Sequence, residues 1–296
     1  IVREAMAAGA VGFASSTNEP HNGEGGVPMP SRLADEKEMR ALVCAMGERG
    51  RGVYMLTKGS KTTPEFLESL AADSGRPVVV AALLHNSANP TAVFDYVNAL
   101  KAGRTRGHMM VPQVSCTPLT MDFTLKNPYP LESVGAWLPA MQAAERDLPG
   151  VYRDPQFRAA VKDDLERFRG RRLFNSQWER VVVCAPASAA NARLAGRSVA
   201  AIAAEQGKHP LDAFLDIALV ENLDTLYTAE LMNTDEDAVG RLIADETAHV
   251  ALSDAGAHLT FLCDADFGLH LIGHAARERG VMTMEQAVRK LTAVPA

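Results

Sequence analysis

Asp254 is the strongest candidate for chemistry in the sequence because of the residues around it. It follows His249-Val250-Ala251-Leu252, which is typical of the end of a buried strand, and it is flanked by Ser253 and Ala255-Gly256-Ala257. His258 lies four positions further on. A carboxylate in such a turn can ligate a metal ion, act as a general base or cap a helix. The turn alone leaves these three roles open.

Two further side chains, His85 and Lys58, follow apolar stretches in the same way. An imidazole nitrogen of His85 and the carboxylate of Asp254 are both good ligands for a divalent metal ion. A histidine in this position can equally be a hydrogen-bonded structural residue. A carboxylated Lys58 could bridge two metal ions, whereas an ordinary surface lysine would have no such role.

These candidates depend on six apolar stretches, each followed by a helical pattern. The stretches are apolar throughout, as is typical of parallel strands covered on both faces. Asp35 with Glu38, and Thr63 before Pro64, are helix start signals. Repeated βα units predict an α/β fold, either a barrel or an open sheet, with chemistry at the carboxyl ends of the strands. The predicted strands are residues 10–15, 52–57, 77–84, 109–115, 181–185 and 249–253.

The repeat is interrupted by residues 117–178, a long segment with aromatic residues and charged helical stretches. A segment of this length after a strand end often lies near the mouth of a barrel. We interpret it as a helical insertion, which is either a lid over the site or a helical hairpin that only packs.

Composition excludes several classes of protein. The chain has 296 residues, 47% of them hydrophobic, a formal net charge of −6 and a pI near 5.8. There is no basic surface signature for nucleic acid, and no apolar run approaches the roughly 20 residues of a membrane helix. The four cysteines are far apart in the sequence, which argues against a disulfide framework and favours the reducing cytoplasm. No nucleotide-binding glycine motif follows a predicted strand.

Several short motifs occur in an order that resembles one known family. They are Gly9-Ala10-Val11-Gly12-Phe13, Pro30-Ser31-Arg32, Gly196-Arg197-Ser198, His209-Pro210-Leu211-Asp212-Ala213, Ser253-Asp254-Ala255-Gly256-Ala257-His258, and the stretches at 277–280 and 285–292. Together they resemble the N-acyl-D-amino-acid deacylases, or D-aminoacylases, of the amidohydrolase superfamily. The resemblance extends over most of the chain.

This resemblance implies a (β/α)8 TIM barrel that binds one or two divalent metal ions, expected to be zinc. Its last strand would supply Asp254, which binds the metal and transfers the proton from the attacking water to the leaving nitrogen. His85 would be a second metal ligand, and Lys58 a weaker third. Gln113, His258 and Arg32 are expected to contact the small-molecule substrate, an N-acyl-D-amino acid or a similar compound.

The sequence also departs from the family pattern. If Asp254 ends the eighth strand, residues 10–15 form the third, and the first strand with its His-x-His metal pair is missing. Gln113 stands where many amidohydrolases have a histidine. The chain opens at Ile1 inside a helical pattern. We therefore expect residues 1–296 to be a partial barrel, strands three to eight, of a longer protein.

Three functional hypotheses remain open at this stage. The first is a metal-dependent hydrolase that deacylates an N-acyl-D-amino acid in the full-length protein. The second is a cyclic amidase or deaminase of the same superfamily. The third is a non-catalytic barrel fragment, because this chain offers few metal ligands and is expected to bind zinc poorly by itself. The open sheet edges of a partial barrel would favour self-association into a homo-oligomer.

Overall fold

The chain is described here from a computed structural model, which covers residues 1–23, 26–167, 172–251, 253 and 265–296. The described residues form an α/β fold with two sheets. The strands are β1 (Gly12–Ser16), β2 (Val53–Thr57), β3 (Val78–Leu83), β4 (Met110–Val114), β5 (Leu119–Phe123), β6 (Val181–Ala185), β7 (Leu226–Met232) and β8 (His249–Val250).

Thirteen α-helices and one π-helix, Leu271–Glu278, are assigned in this part of the chain. None of the helices is long and apolar enough to cross a membrane. The α-helices are α1 (Val2–Ala7), α2 (Pro30–Leu33), α3 (Glu36–Gly47), α4 (Pro64–Ser74), α5 (Ala92–Thr105), α6 (Leu138–Gln142), α7 (Leu148–Arg153), α8 (Pro155–Arg167), α9 (Val199–Gln206), α10 (Pro210–Val220), α11 (Glu236–Ala244), α12 (Phe267–His270) and α13 (Met284–Leu291).

The predicted start signals determine where two of these helices begin. The Asp35 side chain accepts a hydrogen bond from the Glu38 backbone N–H at 2.7 Å and caps α3. The Thr63 side chain caps α4 in the same way, and Pro64 is the first residue of that helix. Both caps satisfy backbone donors that have no partner within the helix.

Five strands form one parallel sheet in the order β1-β2-β3-β4-β8. One face of this sheet, which includes Tyr54, Val80 and Val250, belongs to a single buried apolar cluster. Side chains from α3, α4, α5, α11, α13 and the π-helix complete that cluster. On the opposite face, Val53 and Met55 are partly exposed. The described strands thus form an open sheet with β1 and β8 at its edges.

The remaining three strands form a separate antiparallel sheet in the order β5-β7-β6. Its buried face packs with α7, α8, α9 and α10 into a second apolar cluster that is rich in aromatic rings. Trp137, Tyr152 and Phe157 lie 5.3–5.9 Å apart, centroid to centroid, within this cluster.

The second sheet corrects one prediction made from the sequence, the placement of residues 181–185. Residues 181–185 form a strand, but β6 is antiparallel to β7 and does not belong to the parallel sheet. Five parallel strands are therefore described in place of six. The segment 117–178 contains helices, as expected, and also the strand β5. Its assignment as an insertion or a lid stays a prediction.

Candidate functional site

The carboxyl ends of β1, β2, β3 and β4 meet at one edge of the parallel sheet. His85 follows β3 two residues after its end, and Lys58 follows β2 directly. Ser115 and Thr117 follow β4. The parallel topology therefore brings His85 and Lys58, both singled out from the sequence, to the same edge as Ser115 and Thr117.

His85 is buried, with 2% of its surface exposed. Its backbone N–H donates to Asn233 Oδ1 at 2.7 Å, and its backbone C=O accepts from the Asn233 N–H at 2.9 Å. The centroid of its ring lies 6.3 Å from that of Phe94 on α5. Within the described part of the chain, no hydrogen-bond partner reaches His85 Nδ1. A buried polar atom without a partner is costly, so this nitrogen is suited to an incoming ligand.

Asn233 is the residue at this edge that sequence reasoning missed. It directly follows β7, it is 2% exposed, and its backbone has a positive φ of 56°. Its Nδ2 donates to the backbone carbonyls of Ser115 and Thr117 at 3.0 and 3.1 Å. One side chain thus ties the antiparallel sheet to the ends of β3 and β4. The one signal in the sequence is that asparagine tolerates positive φ better than most residues.

Asp235 lies two residues after Asn233, and its carboxylate interacts electrostatically with His85. Asp235 caps α11 by accepting hydrogen bonds from the backbone N–H groups of Asp237 and Ala238. The bond from Ala238 is the largest cause that lowers the pKa of Asp235. Asp235 was not singled out from the sequence.

Lys58 lies at the edge as expected, and its ammonium contacts an aromatic ring. Its Nζ is 4.3 Å from the centroid of Tyr96 on α5. The Tyr96 hydroxyl donates to the backbone carbonyl of Thr62 at 3.1 Å, which fixes the ring. A cation over the face of a tyrosine is attracted to it electrostatically. This contact favours the charged amine of Lys58.

Arg32 lies beside the loop that follows β1. Its guanidinium donates to Asn22 Oδ1 and, at 3.4 Å, to the backbone carbonyl of His21. In the same loop the Ser16 hydroxyl and His21 Nδ1 are 2.6 Å apart. Arg32 therefore adds a positive charge near the carboxyl end of β1.

Gln113 lies on β4, on the face of the sheet opposite the helix-packed core. It is half-buried and pairs in register with His249 of β8. Burial lowers the pKa of His249, and the nearby charges of Arg104 and Lys290 lower it further. Asp254 and His258 lie outside the described residues, so their predicted roles at the site stay predictions.

The site therefore has one strong metal-ligating candidate with described geometry, His85, and the weaker candidate Lys58. Among the residues that the structure describes, no group of three or more His, Cys, Asp or Glu side chains could hold a metal ion. The open Nδ1 of His85 fits a metal ligand, and Asp254 would have to supply another.

A cavity of about 340 Å³ lies where the loop after β1 meets the segment 117–178. Gly23 and Gly26 line it from the loop, and Lys126, Trp137 and Met141 are among the residues that line it from the segment. The segment thus contacts the loop that follows β1.

The polar residues after β6 do not serve this edge. Ser188 and Asn191 follow β6, which belongs to the antiparallel sheet. Both bind the carboxylate of Glu221. Burial alone would raise the pKa of Glu221, but hydrogen bonds from Ser188, Thr225, the Ala187 backbone and Asn191 lower it to about 2. The buried carboxylate of Glu221, like Asn233, was not predicted from the sequence.

Comparisons with known proteins agree on the fold. The chain is similar over 99% of its length to a D-aminoacylase, with a TM-score of 0.54 and 16% identity, and covers 49% of that chain. It is similar over its whole length to the N-acyl-D-glutamate deacylase of Bordetella bronchiseptica, with a TM-score of 0.54 and 19% identity, and covers 50% of that chain. The chain shares the fold of these deacylases over about half of their length.

Sequence relatives also match most of this chain, but their names state no function. Uncharacterized proteins of Mycobacterium tuberculosis and Mycobacterium bovis are each 28% identical over 285 residues. The match covers 89% of this chain, which spans about 45% of the length of these relatives. No family model matches the chain.

Proposed function

We propose that this chain is part of a metal-dependent hydrolase that cleaves a non-peptide C–N amide bond, with N-acyl-D-amino acids as its substrate class. The shared fold supports this proposal. One of the solved deacylases contains zinc and a phosphonate inhibitor that mimics a tetrahedral intermediate. Because the identity to that protein is 19%, the substrate class is an inference about this chain.

The observation that carries the proposal is the unpartnered Nδ1 of His85 among the described residues, buried at the carboxyl end of β3. Active sites of βα folds lie at this end of the strands. A neutral imidazole nitrogen is a common zinc ligand in proteins. His85 is therefore proposed to hold the metal together with Asp254.

Asp254 is proposed as the residue that transfers protons. When bound, a divalent ion such as zinc polarises the scissile carbonyl and lowers the pKa of water at the site. The Asp254 carboxylate would take a proton from the attacking water and deliver it to the departing amine nitrogen. Proton transfer of this kind by a positioned side chain contributes about 10²–10⁴-fold to the rate.

Charged and polar residues at the edge are proposed to select the substrate. An N-acyl amino acid carries a free carboxylate, for which the Arg32 guanidinium is a suitable partner because its fork geometry matches two oxygens. Gln113 and His258 are proposed to contact the acyl amide. Lys58 is proposed as a charged neighbour or, if carboxylated, as a bridge between two metal ions.

Segment 117–178 is proposed to act as a lid. The cavity between it and the β1 loop supports a position over the strand ends. A lid excludes water and thereby strengthens electrostatic interactions in the closed site.

The test is turnover by the zinc-loaded full-length protein. Substrates would be N-acetyl-D-glutamate, N-acetyl-D-leucine, their L enantiomers and a cyclic amide such as a hydantoin. We expect release of the free D-amino acid, with the L enantiomers cleaved at least about tenfold more slowly. Cleavage of the hydantoin alone would favour the cyclic amidase hypothesis. No hydrolysis of any amide by zinc-loaded protein would favour a non-catalytic barrel.

A further inference from the structure

The backbone of His85 is held by a residue 148 positions away in the sequence. Its N–H donates to Asn233 Oδ1 at 2.7 Å, and its C=O accepts the Asn233 N–H at 2.9 Å. Residues just beyond a strand often bond to water or to a local turn. Here both backbone polar groups of His85 are satisfied by one buried partner, so the backbone that carries the ring is fixed on both sides.

The other end of the Asn233 side chain is anchored equally well. Its Nδ2 donates to the backbone carbonyls of Ser115 and Thr117. One amide thus accepts from the residue that follows β3 by two positions and donates to residues just after β4. An aspartate carboxylate cannot donate to two carbonyls. An aliphatic side chain can neither accept the His85 N–H nor donate to the carbonyls. The φ of 56° further favours asparagine or glycine at this position. The structure thus demands an amide side chain here.

We propose that Asn233 is a positioning residue for His85. By fixing the His85 backbone between β3 and β4, it holds the ring with Nδ1 ready for the metal, and it makes the antiparallel sheet part of the site's support. This inference rests on the proposed function, in which His85 ligates the metal. A ligand held in place before binding loses less conformational entropy when the metal arrives.

The experiment compares zinc affinity with stability in the full-length protein. Asn233→Gly tolerates the positive φ and removes every side-chain bond. Asn175→Ala is the matched control, because Asn175 Nδ2 bonds to Asn86 Oδ1 at 3.3 Å, next to His85 but not to it. Zinc dissociation constants are measured by chelator competition, and unfolding free energies by urea denaturation of the metal-free variants. Affinity is compared only where the metal-free variant is fully folded.

We expect Asn233→Gly to weaken zinc binding about 10–100-fold, in the range found when groups that orient metal ligands are removed. Asn175→Ala should change the affinity by less than about threefold. Folded Asn233→Gly with the affinity of the wild type would overturn the inference. His85→Ala separates the two claims. If His85→Ala binds zinc as tightly as the wild type, the proposed function fails. If His85→Ala weakens zinc binding and Asn233→Gly does not, only the role of Asn233 is refuted.

A measurement on the wild type decides the matter if Asn233→Gly does not fold. Hydrogen exchange at the His85 amide of the metal-free protein should be as slow as at Val80 inside β3, because Asn233 holds that amide before zinc binds. Exchange at the rate of an open loop would overturn the inference.

Discussion

The carboxylate of Glu221 accepts both the backbone N–H and the hydroxyl of Ser188, at 3.1 and 2.6 Å. It also accepts from the Ala187 N–H, from Asn191 Nδ2 and from the Thr225 hydroxyl. Glu221 is 4% exposed and follows α10, so this cluster ties the turn before β7 to the loop after β6. This carboxylate therefore links the regions that flank β6 and β7 of the antiparallel sheet.

We predict that Glu221→Gln destabilises the protein by about 2–4 kcal/mol, because the amide replaces a charged acceptor and turns two donor hydrogens toward groups that themselves donate. Urea denaturation at pH 7 measures this loss. The matched control is Glu205→Gln, since Glu205 pairs with Arg197 at 2.6 Å but is 59% exposed. A surface pair of this kind should contribute less than about 1 kcal/mol. Equal losses in the two variants would contradict the assignment.

The same carboxylate predicts a pH dependence. Its pKa falls from 4.5 to about 2 on folding, which corresponds to about 3 kcal/mol of linked stability. This contribution is complete above pH 4.5 and is lost as the pH falls toward 2. The stability difference between wild type and Glu221→Gln should therefore be largest at neutral pH and shrink between pH 4.5 and pH 3. A difference independent of pH would show that the charge of Glu221 is not what stabilises the cluster.

A histidine cap predicts a second pH effect. His209 caps α10 through Nδ1, which accepts the Leu211 N–H at 3.1 Å and so must be unprotonated. Burial lowers the pKa of His209, and nearby Lys162 lowers it further. Its stabilisation is present above the unfolded-state pKa near 6.5 and is lost as the pH falls below it. His209→Asn keeps a cap that does not titrate, so its melting temperature should fall less than that of wild type between pH 8 and pH 5. Parallel falls would contradict this role.

Lys58 offers a test of its charge state. Its contact with the Tyr96 ring favours an ammonium, whereas a carboxylated lysine would be an anion. We predict that Lys58→Met leaves zinc stoichiometry unchanged and that added bicarbonate does not raise metal content. Metal analysis of the two proteins checks this. Loss of one of two bound ions in Lys58→Met would instead indicate a bridging role.

Asp254→Asn should abolish turnover in the full-length protein while the protein stays folded. The substitution removes a group proposed both to ligate metal and to transfer protons, and we expect a loss of at least about 10²–10⁴-fold in rate. Circular dichroism establishes that the variant is folded. Near-normal activity would mean that Asp254 only caps a turn.

The parallel sheet could be predicted from the sequence because its strands have an uninterrupted apolar pattern. β7 was missed because it alternates: Tyr227, Ala229 and Leu231 are buried, whereas Thr228 and Glu230 are partly exposed. This pattern is typical of an antiparallel strand with one solvent-exposed face. The apolar run of β6 is typical of a parallel strand. Its antiparallel orientation is evident only from its pairing with β7.

The strand-end position of His85 was predictable, but what holds it was not. Asn233 meets His85 across 148 residues, and no local pattern encodes so distant a pairing. Glu221 looks like a surface residue in its sequence context, since burial of a carboxylate becomes favourable only when several donors converge on it. The local sequence pattern therefore predicted the strand-end position of His85. The roles of Asn233 and Glu221 became evident only from the tertiary structure.

The most direct test of the proposed metal site is anomalous diffraction at the zinc edge from crystals of the full-length protein grown with zinc. We predict a peak about 2.0–2.1 Å from His85 Nδ1 and about 2.0–2.2 Å from an Asp254 carboxylate oxygen. A zinc ion bound elsewhere, or His85 Nδ1 hydrogen-bonded to a protein group in the zinc-loaded crystal, would contradict the account.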